Sequence, residues 1–178
     1  MAVSRPLETE RLRLEPFTDA RITPRYLAWL NDPAIMRFSE RRHTTHTEAS
    51  ARQYLARFED SPHYFWAIVA REAALGHIGN ISAAVDPMNS IADISILVGE
   101  RHVWGRGFGG EAWEAVMAFL HGDLAIRKVT GGTLATNIGM LQIMRRARMA
   151  EDGCRRRHYL VDGQEVDIIH MASFRATA

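Results

Sequence analysis

WGRGFGGEAW, residues 104–113, joins a strand-like apolar run to a segment with helical spacing. Its glycines at 105, 107 and 110 satisfy the pattern G-x-G-x-x-G. Glycines at the start of a helix expose backbone N–H groups in a concave nest, and the helix dipole contributes ~0.3–1 kcal/mol to holding an anion there. Arg106 adds a full positive charge. The stretch therefore predicts a phosphate or pyrophosphate site.

Two common phosphate-binding motifs do not fit this stretch. In a dinucleotide fold the first glycine follows the strand directly, but residues 99–104 separate Val98 from Gly105. That motif also needs an acidic residue about 20 positions on, and the next predicted strand ends at 135–137 without a carboxylate. A Walker loop needs Lys-Ser/Thr after its last glycine, where this chain has Glu-Ala. The nicotinamide oxidoreductase interpretation is therefore disfavoured.

The composition is that of one ordinary globular domain spanning 1–178. Hydrophobic residues make up 47% and charged residues 24% of the 178 residues. The net charge of +1 favours neither nucleic acid nor an anionic membrane as a partner. A single cysteine, Cys154, excludes an intrachain disulfide and is typical of a reducing compartment. With no signal-peptide pattern and no long apolar run, we expect a cytoplasmic protein.

The periodicity of the chain predicts an α/β (α+β) domain, with a mixed sheet of about six to seven strands and about four helices. Thr23 and Pro24 predict the start of the first helix, and Asp32-Pro33 predicts its end. Thr45 and Glu48 predict a capping box for the second helix, after a loop at 37–46. Asp162-Gly163 predicts the turn of a closing hairpin. The predicted strands are 11–17, 64–70, 76–83, 91–98, 127–137, 155–161 and 165–174.

Beyond the glycine loop, the chain resembles the GNAT superfamily of N-acetyltransferases, and most closely its RimJ/RimL type. ADISILVGERHVWGRGFGGEAWEAVMAFL is similar to the family's acetyl-CoA-binding motif, and three segments resemble its opening strand, its W-x-N-D-P helix and its closing strand with an acidic residue, here Asp167. These segments are RPLETERLRLEPF, YLAWLNDPAIMRF and GQEVDIIHMASF. LATNIGMLQIMRRARMAEDG matches the N-x-x-S-x-x-x-x-x-K-x-G-F segment imperfectly. The resemblance covers nearly the whole chain and implies a GNAT-like fold.

The resemblance implies acetyl-CoA as cosubstrate and a primary amine as acceptor. It assigns the pyrophosphate to backbone amides of the glycine loop, the pantetheine arm to the preceding strand, and a further cofactor contact to Asn137. Backbone N–H groups on that strand are the expected oxyanion donors. The implied cofactor-binding residues are Leu97, Val98, Trp104, Gly105, Arg106, Gly107, Phe108, Gly109, Gly110 and Asn137.

Proton transfer in the implied reaction needs a base and a proton donor. An amine at neutral pH is mostly protonated, so a base helps, often through water. Asp93, eleven positions before Trp104, matches the place of a carboxylate that often takes this role in the family. Met140 and Met144 replace the family's serine and tyrosine, and neither can donate a proton to the leaving thiolate. Water is then the expected proton donor, and whether Asp93 or water alone is the base stays open.

The basic loop at 37–46 is the expected acceptor-binding region. In the RimJ/RimL branch this region lies beside the acceptor channel, so Arg37, Arg41 and Arg42 favour an acceptor with negative charge near its amine. His77, on a central strand, is a further acceptor-side candidate, although a hydrogen-bonded core histidine is the more usual reading. A solvated basic loop is the alternative for the arginines.

The remaining motifs do not require another activity. No carboxylate-rich helix accompanies His43 and His46, so no metal site is predicted. The three arginines beside Cys154 could lower the pKa of its thiol. A non-catalytic acyl-CoA-binding module remains the alternative function. Protein N-terminus, amino sugar, polyamine and antibiotic all stay open as acceptors. The oligomeric state also stays open, with a homodimer as one alternative because dimers are common in the branch that the chain resembles.

Overall fold

The computed structural model describes residues 5–176, which form eight strands and five α-helices around one sheet. This is the predicted mixed α/β fold with one more strand and one more helix than expected. The strands are β1 (Leu7–Glu8), β2 (Leu12–Pro16), β3 (Tyr64–Ala70), β4 (His77–Asp86), β5 (Ile91–Val98), β6 (Lys128–Leu134), β7 (Ala150–Val161) and β8 (Gln164–Phe174). The helices are α1 (Pro24–Asn31), α2 (Pro33–Met36), α3 (Glu48–Ala56), α4 (Phe108–Ala118) and α5 (Ile138–Arg146).

The sheet order is β1-β2-β3-β4-β5-β6-β8-β7, and every neighbouring pair is antiparallel except β5 and β6. The parallel pair is short, since it joins only Ile91–Asp93 to Lys128–Thr130. Beyond these residues β5 pairs with β4 alone and β6 with β8 alone, within the described part of the chain. The sheet therefore splits, and the split widens toward the glycine loop at 104–113.

Helices cover both faces of the sheet. On one face α4 and α5 bury the larger core, in which Trp113 and Met144 pack against Gly131 of β6. On the other face α1 and α3 bury a second, aromatic core that includes Phe17, Trp29 and Phe65. Below we call these the cofactor face and the acceptor face. Asp93 and Ser95 of β5 belong to the acceptor face, because Ala92 and Ile94 alternate with them into the larger core.

Capping side chains and prolines determine where the first two helices begin. The hydroxyl of Thr23 accepts a hydrogen bond from the amide of Tyr26, as predicted for the start of α1. Asp32-Pro33 ends α1, as predicted, but it also begins α2, because the Asp32 carboxylate accepts the amides of Ala34 and Ile35. The sequence pattern did not reveal this second, four-residue helix.

The capping box of α3 was predicted at the wrong residues. The hydroxyls of Thr47 and Ser50 accept each other's backbone amides, at 3.2 and 2.9 Å, in place of Thr45 and Glu48. The loop before it holds a 3₁₀ turn, Glu40–His43. The closing hairpin turns at Asp162-Gly163, as predicted, with φ of 51° and 77°. Among the described residues, no helix has the length and apolar character needed to cross a membrane.

Candidate active site

The glycine loop reverses the chain between β5 and α4. The amides of Gly99 and Glu100 both donate to the Ile78 carbonyl, at 2.9 and 3.2 Å, and a 3₁₀ turn follows at Arg101–Val103. Gly105 and Gly107 then adopt φ of 76° and 86°, in the left-handed region that a side chain disfavours. Gly107 is also the N-cap of α4. The glycines are therefore required by the backbone of this turn.

The loop and the first turn of α4 leave a cluster of donors free. Within residues 5–176, no carbonyl or side chain accepts the backbone amides of Gly105, Gly107, Phe108, Gly109 and Gly110. Amides at a helix start have no intrahelical acceptor, and their dipoles favour an anion. The Arg106 guanidinium stands at the rim, where it pairs with Glu72 at 3.1 Å. An anion at this place would therefore be held mainly by main-chain groups.

Glu111 fastens this loop to the β1–β2 corner. Its carboxylate accepts hydrogen bonds from the Thr9 hydroxyl at 2.6 Å, the Arg11 amide at 2.8 Å and the Arg11 Nε at 2.6 Å. Burial opposes ionisation, but these donors outweigh it and lower the pKa of Glu111. Arg11 also donates to the Arg106 carbonyl at 2.9 Å. The free amides are thus held in place by residues of the β1–β2 edge of the sheet.

The split between β5 and β6 exposes main-chain groups along one side. The Gly99 amide bonds to β4, and backbone groups along a strand point alternately to either side. The backbone N–H and C=O groups of Ile94, Ile96 and Val98 therefore point toward the split. Leu97, which we expected to contact the pantetheine arm, instead turns its main chain toward β4 and its side chain toward the aromatic core. The Val98 carbonyl is occupied, since it accepts the Trp104 indole N–H at 2.9 Å.

The floor of the split is apolar. A Cβ added to Gly109 would lie 3.2 Å from Ile143 of α5 and 3.4 Å from Val98, so α4, α5 and β5 meet closely here. Met144 is fully buried in the core and Met140 is partly buried against it. Neither side chain can donate a proton, as the sequence indicated.

Asn137 lies where the resemblance places it, at the start of α5, but its side chain has structural partners. Its Oδ1 accepts the Met140 amide at 3.2 Å, and its Nδ2 donates to the Thr133 hydroxyl at 3.0 Å. Asn137 is therefore the N-cap of α5. Any contact of this side chain with a cofactor would use the second Nδ2 N–H or the remaining Oδ1 lone pair.

Asp93 stands at the point where β5 and β6 part. Its Oδ2 accepts a hydrogen bond from the Thr130 hydroxyl at 2.7 Å. Although the residue is open to solvent, desolvation by the surrounding strands raises the pKa of Asp93. The Thr130 hydrogen bond and the charge of His170 act in the opposite direction. A carboxylate with a raised pKa at the point where two strands part is suited to general base catalysis.

His170 is a neighbour of Asp93 that the sequence analysis missed. It pairs in register with Gly132 of β6, and a Cβ on that glycine would lie 3.1 Å from the His170 Nδ1. Its Nε2 is buried and has no hydrogen-bond partner among the described residues. A histidine within the apolar run DIIHMASF could have indicated a functional residue. Only the fold shows that its strand, β8, lies next to β6 and thus one strand away from β5.

A cleft of about 450 Å³ lies on the acceptor face, between α1–α2 and the tip of the β7–β8 hairpin. Arg37, Arg42 and His43 line it, together with the carboxylates of Asp32 and Asp162. Arg42 is largely a structural link, because it donates to the Ser39 and Leu160 carbonyls and to Glu40.

The third arginine of the loop is placed differently. Arg41 stacks over the Tyr54 ring, 4.3 Å from its centroid, and is absent from the lining of this cleft. Of the three predicted arginines, Arg37 alone both lines the cleft and has no carboxylate partner within the described chain.

His77 lies in the aromatic core under α1, away from Asp93. Its ring contacts Phe17, Tyr26 and Trp29, and its Nε2 bonds to the Gly79 carbonyl at 2.9 Å. Desolvation, with a further contribution from Arg21, lowers the pKa of His77 to about 4. The structure therefore gives His77 the place of a hydrogen-bonded core histidine and does not favour the acceptor role.

Cys154 lies exposed on the edge strand β7, with the Asp167 carboxylate 3.7 Å from its sulfur. Desolvation and this carboxylate raise the pKa of Cys154, so the expected lowering by the adjacent arginines is wrong. No group of three His, Cys, Asp or Glu side chains suited to a metal occurs within residues 5–176.

Several solved structures share this fold. The ribosomal L7/L12 alpha-N-protein acetyltransferase RimL in complex with coenzyme A superposes with a TM-score of 0.81 at 16% identity, over 96% of this chain and 98% of that one. The ribosomal-protein-S5-alanine acetyltransferase of Vibrio fischeri gives 0.81 at 12% identity, over 97% of both chains. A spermidine N-acetyltransferase chimera from Vibrio cholerae and hSSAT gives a TM-score of 0.79 at 14% identity, over 92% of this chain and 95% of that one.

Comparison of the amino-acid sequence gives one family match. No curated protein matches the chain significantly. The profile of the Acetyltransferase (GNAT) domain matches residues 11–150, which include β5, the glycine loop and α5. The structural neighbours that bear acetyltransferase names share the fold of this chain, in agreement with this match. The chain therefore belongs to the GNAT acetyltransferase family.

Proposed function

We propose that this enzyme transfers the acetyl group of acetyl-CoA directly to a primary amine. The observation that carries the proposal is the split between β5 and β6, which leads to the free amides of Gly105 and of residues 107–110 at the start of α4. A pyrophosphate fits such a donor cluster, and an extended amide-bearing arm fits an open strand edge. The bound coenzyme A of the RimL structure supports the same cosubstrate here.

In the proposed reaction Asp93 removes a proton from the acceptor ammonium, directly or through water. The amine then attacks the thioester carbonyl, and main-chain N–H groups of β5 that face the split stabilise the oxyanion. As the tetrahedral intermediate collapses and the C–S bond breaks, the nitrogen loses its second proton to water. Because methionines stand at 140 and 144, water also returns a proton to the leaving thiolate. No metal takes part in this scheme.

Thermal unfolding with acetyl-CoA, CoA or NADH at matched concentrations tests the cosubstrate. A ligand at 100 times its Kd should stabilise the protein by ~2.7 kcal/mol. We expect acetyl-CoA and CoA to raise the melting temperature, and NADH to leave it unchanged. Stabilisation by NADH alone would overturn the proposal. Release of CoA thiol with a panel of amines then tests transfer.

The acceptor is proposed only by class. The names of the structural neighbours include a protein N-terminal and a polyamine acetyltransferase, and both kinds of amine belong in the panel with amino sugars. The cleft beside Arg37 and His43 favours an acceptor that carries negative charge near its amine. The exposed, free Cys154 is compatible with a cytoplasmic protein. Light scattering would test whether the chain forms a homodimer.

A non-catalytic acyl-CoA-binding module is the second candidate. Met140 and Met144 favour it, because they replace the residues that donate protons in the family. Such a module would be stabilised by CoA, as the enzyme would be, but would release no thiol above the buffer rate with any amine of the panel.

A further inference from the structure

The middle of the sheet is open on the acceptor face. β5 is the fifth of eight strands, yet Asp93 and Ser95 on it are exposed, as is Gly132 on β6. The aromatic core under α1 and α3 lies over Phe65 of β3, and a separate apolar cluster around Ile168 covers β8. An open trough therefore runs along β5, between these two clusters.

Small polar side chains follow the floor of this trough beyond Asp93. In the β4–β5 register Ser82 lies opposite Ser95, and Asn80 lies opposite Leu97. Residues directly opposite each other, and residues two apart along a strand, share a face of the sheet. Asn80, Ser82 and Ser95 therefore form one polar row on the acceptor face.

This polar row lacks the hydrogen-bond partners that buried polar groups normally have. Asn80 and Ser82 are only 9% and 8% exposed, yet their side chains make no hydrogen bond within residues 5–176. The side-chain atoms of this range that lack both a partner and solvent access belong to His46 and His170. The amide of Asn80 and the hydroxyl of Ser82 therefore reach the trough, where a ligand can satisfy them.

The polar row leads from Asp93 toward the acceptor cleft. A strand rises about 3.3 Å per residue, so the Ser82–Ser95 pair lies about 7 Å along the sheet from Asp93. Asn80 lies about 13 Å along in the same direction, toward the glycine loop. β6 ends at this end of the sheet beside the first half of β8, and the β7–β8 hairpin tip lines the cleft together with Arg37. An acceptor in the trough can therefore hold its amine at Asp93 and extend toward Arg37.

We propose that Asn80, Ser82 and Ser95 are specificity-determining residues, which bind uncharged hydrogen-bonding groups of the acceptor while its amine lies at Asp93. This inference rests on the proposed function. A hydroxyl can donate and accept a hydrogen bond, and so can a side-chain amide, so the polar row matches amide and hydroxyl groups alike. From the spacing along the strand, the first such group lies roughly two to four bonds from the amine.

The charges of the trough exclude a second class of acceptor. Between the levels of Asp93 and Asn80, the described floor on β4, β5 and β6 carries no carboxylate other than Asp93. One carboxylate can pair with one ammonium group, whereas a polyamine brings further ammonium groups that would meet only neutral side chains. The acceptor class is therefore an amine followed by an amide, as in a peptide, or by a hydroxyl, as in an amino sugar.

Three small amines of similar size test the class directly. Glycinamide carries an amide and ethanolamine a hydroxyl beside the amine, and propylamine carries neither. We expect the wild type to prefer glycinamide or ethanolamine by at least about 10-fold in kcat/KM, referred to the free amine, because buried polar groups left unpaired reject an acceptor without a partner for them. The better of the two identifies the source as peptide-like or sugar-like. Equal kcat/KM for all three amines would overturn the inference.

Substitutions in the polar row show whether these residues cause the preference. Ser82→Ala and Ser95→Ala should each reduce it about fivefold, whereas Ser95→Thr retains a hydroxyl and should retain it. Asn80→Leu should lower kcat/KM for glycylglycinamide more than for glycinamide, because Asn80 lies farther from the amine. Ser61→Ala, in the turn before β3, is the unrelated control. A preference that persists unchanged in both alanine variants refutes the role of the polar row.

Stability separates this role from a structural one. The Ser82 hydroxyl has no partner among the described residues, so Ser82→Ala should not lower the melting temperature. A lower melting temperature would assign the hydroxyl to the fold and not to the acceptor.

The two proposals fail in distinguishable ways. If amines are acetylated but the alanine variants select among them as the wild type does, the subsite is refuted and the proposed function stands. If no amine is acetylated, the proposed function fails, and titration with glycinamide and ethanolamine, followed by the backbone amide NMR signals of Ser82 and Ser95, decides the subsite. Saturable shifts of these signals that are weakened in Ser82→Ala support it, and their absence overturns it.

Discussion

Arg148 adopts a left-handed backbone, with φ of 58°, at the end of α5. The surrounding bonds form a Schellman motif, since the amides of Arg148 and Met149 donate to the carbonyls of Arg145 and Met144 at 3.0 Å each. The family segment that this part of the chain resembles has a glycine at this position. Arg148 therefore adopts the left-handed backbone conformation that a glycine would adopt at this position. A residue other than glycine is strained in that conformation.

Arg148→Gly should stabilise the protein. Removing the side chain relieves the left-handed strain, and we expect a net gain of about 0.5–1 kcal/mol after the larger chain entropy of glycine is subtracted. Chemical denaturation measures the change. Arg145→Gly, three residues earlier and inside α5, is the control and should destabilise by about 1 kcal/mol. Destabilisation by both variants would contradict the assignment of strain to Arg148.

Arg37 tests the acceptor at the same scale. Its guanidinium lines the acceptor cleft and lacks a carboxylate partner within the described chain, so Arg37→Gln removes charge without breaking an ion pair. With an anionic acceptor, KM should rise about fivefold, which corresponds to about 1 kcal/mol. Acetyl-CoA affinity should not change. Arg156→Gln, exposed on β7, is the matched control. An unchanged acceptor KM in Arg37→Gln would count against an anionic acceptor.

Elements with strong local signals were the ones that the sequence predicted. A specific backbone conformation is required at Thr23-Pro24, at Asp162-Gly163 and at the glycines of 104–113, so these elements can be predicted from the sequence alone. The edge strand β7 was predicted too short because its first residues are exposed on both faces and show no alternation. The capping box was misplaced because Thr45 and Thr47 offer the same hydroxyl two positions apart.

Gly110→Ala should separate stability from ligand binding in α4. Gly110 lies in the first turn with an ordinary φ, and a Cβ there would meet no atom within 4 Å. Alanine should therefore stabilise the helix by roughly 0.5–1 kcal/mol. In the first turn a Cβ points back toward the helix start, where the proposed pyrophosphate lies, so CoA affinity should fall.

Gly122→Ala provides the matched control for this element. It also has an ordinary φ and open space around its added Cβ, but it lies beyond the far end of α4. We expect this variant to leave CoA affinity unchanged in a calorimetric titration. If Gly110→Ala binds CoA as tightly as the wild type, the pyrophosphate does not lie against the first turn of α4.

At the scale of the whole molecule, the site exists because the sheet splits. No local pattern in 91–98 or 128–134 shows that β5 and β6 pair over three residues and then part. Asp93 was predicted from its place before the glycine loop, yet its contact with Thr130 and its interaction with His170 depend on strands brought together by the topology. Likewise the sequence left His77, a polar residue on a central strand, between a core role and an acceptor role, and its contact with Trp29 of α1 decides for the core.

The half-buried His77 should make the stability of the whole domain depend on pH. Desolvation, together with the nearby Arg21 and Arg25, lowers the pKa of His77 to about 4, whereas an unfolded histidine titrates near 6.5. Between these values the unfolded chain binds a proton that the folded chain does not, so stability is full above pH 6.5 and is lost as the pH falls toward 4. The loss from pH 7.5 to pH 4.5 should be roughly 2–3 kcal/mol for this group.

His77→Gln tests this prediction, because glutamine retains a donor for the Gly79 carbonyl but cannot titrate. Between pH 7.5 and pH 4.5 the free energy of unfolding of the variant, measured by urea denaturation, should fall by roughly 2–3 kcal/mol less than that of the wild type. The lowered pKa values of Glu100 and Glu111 also weaken the fold in acid, but both proteins share them and they cancel in the comparison. An equal loss in the two proteins would show that His77 is protonated in the folded state and that the aromatic core under α1 admits its charge.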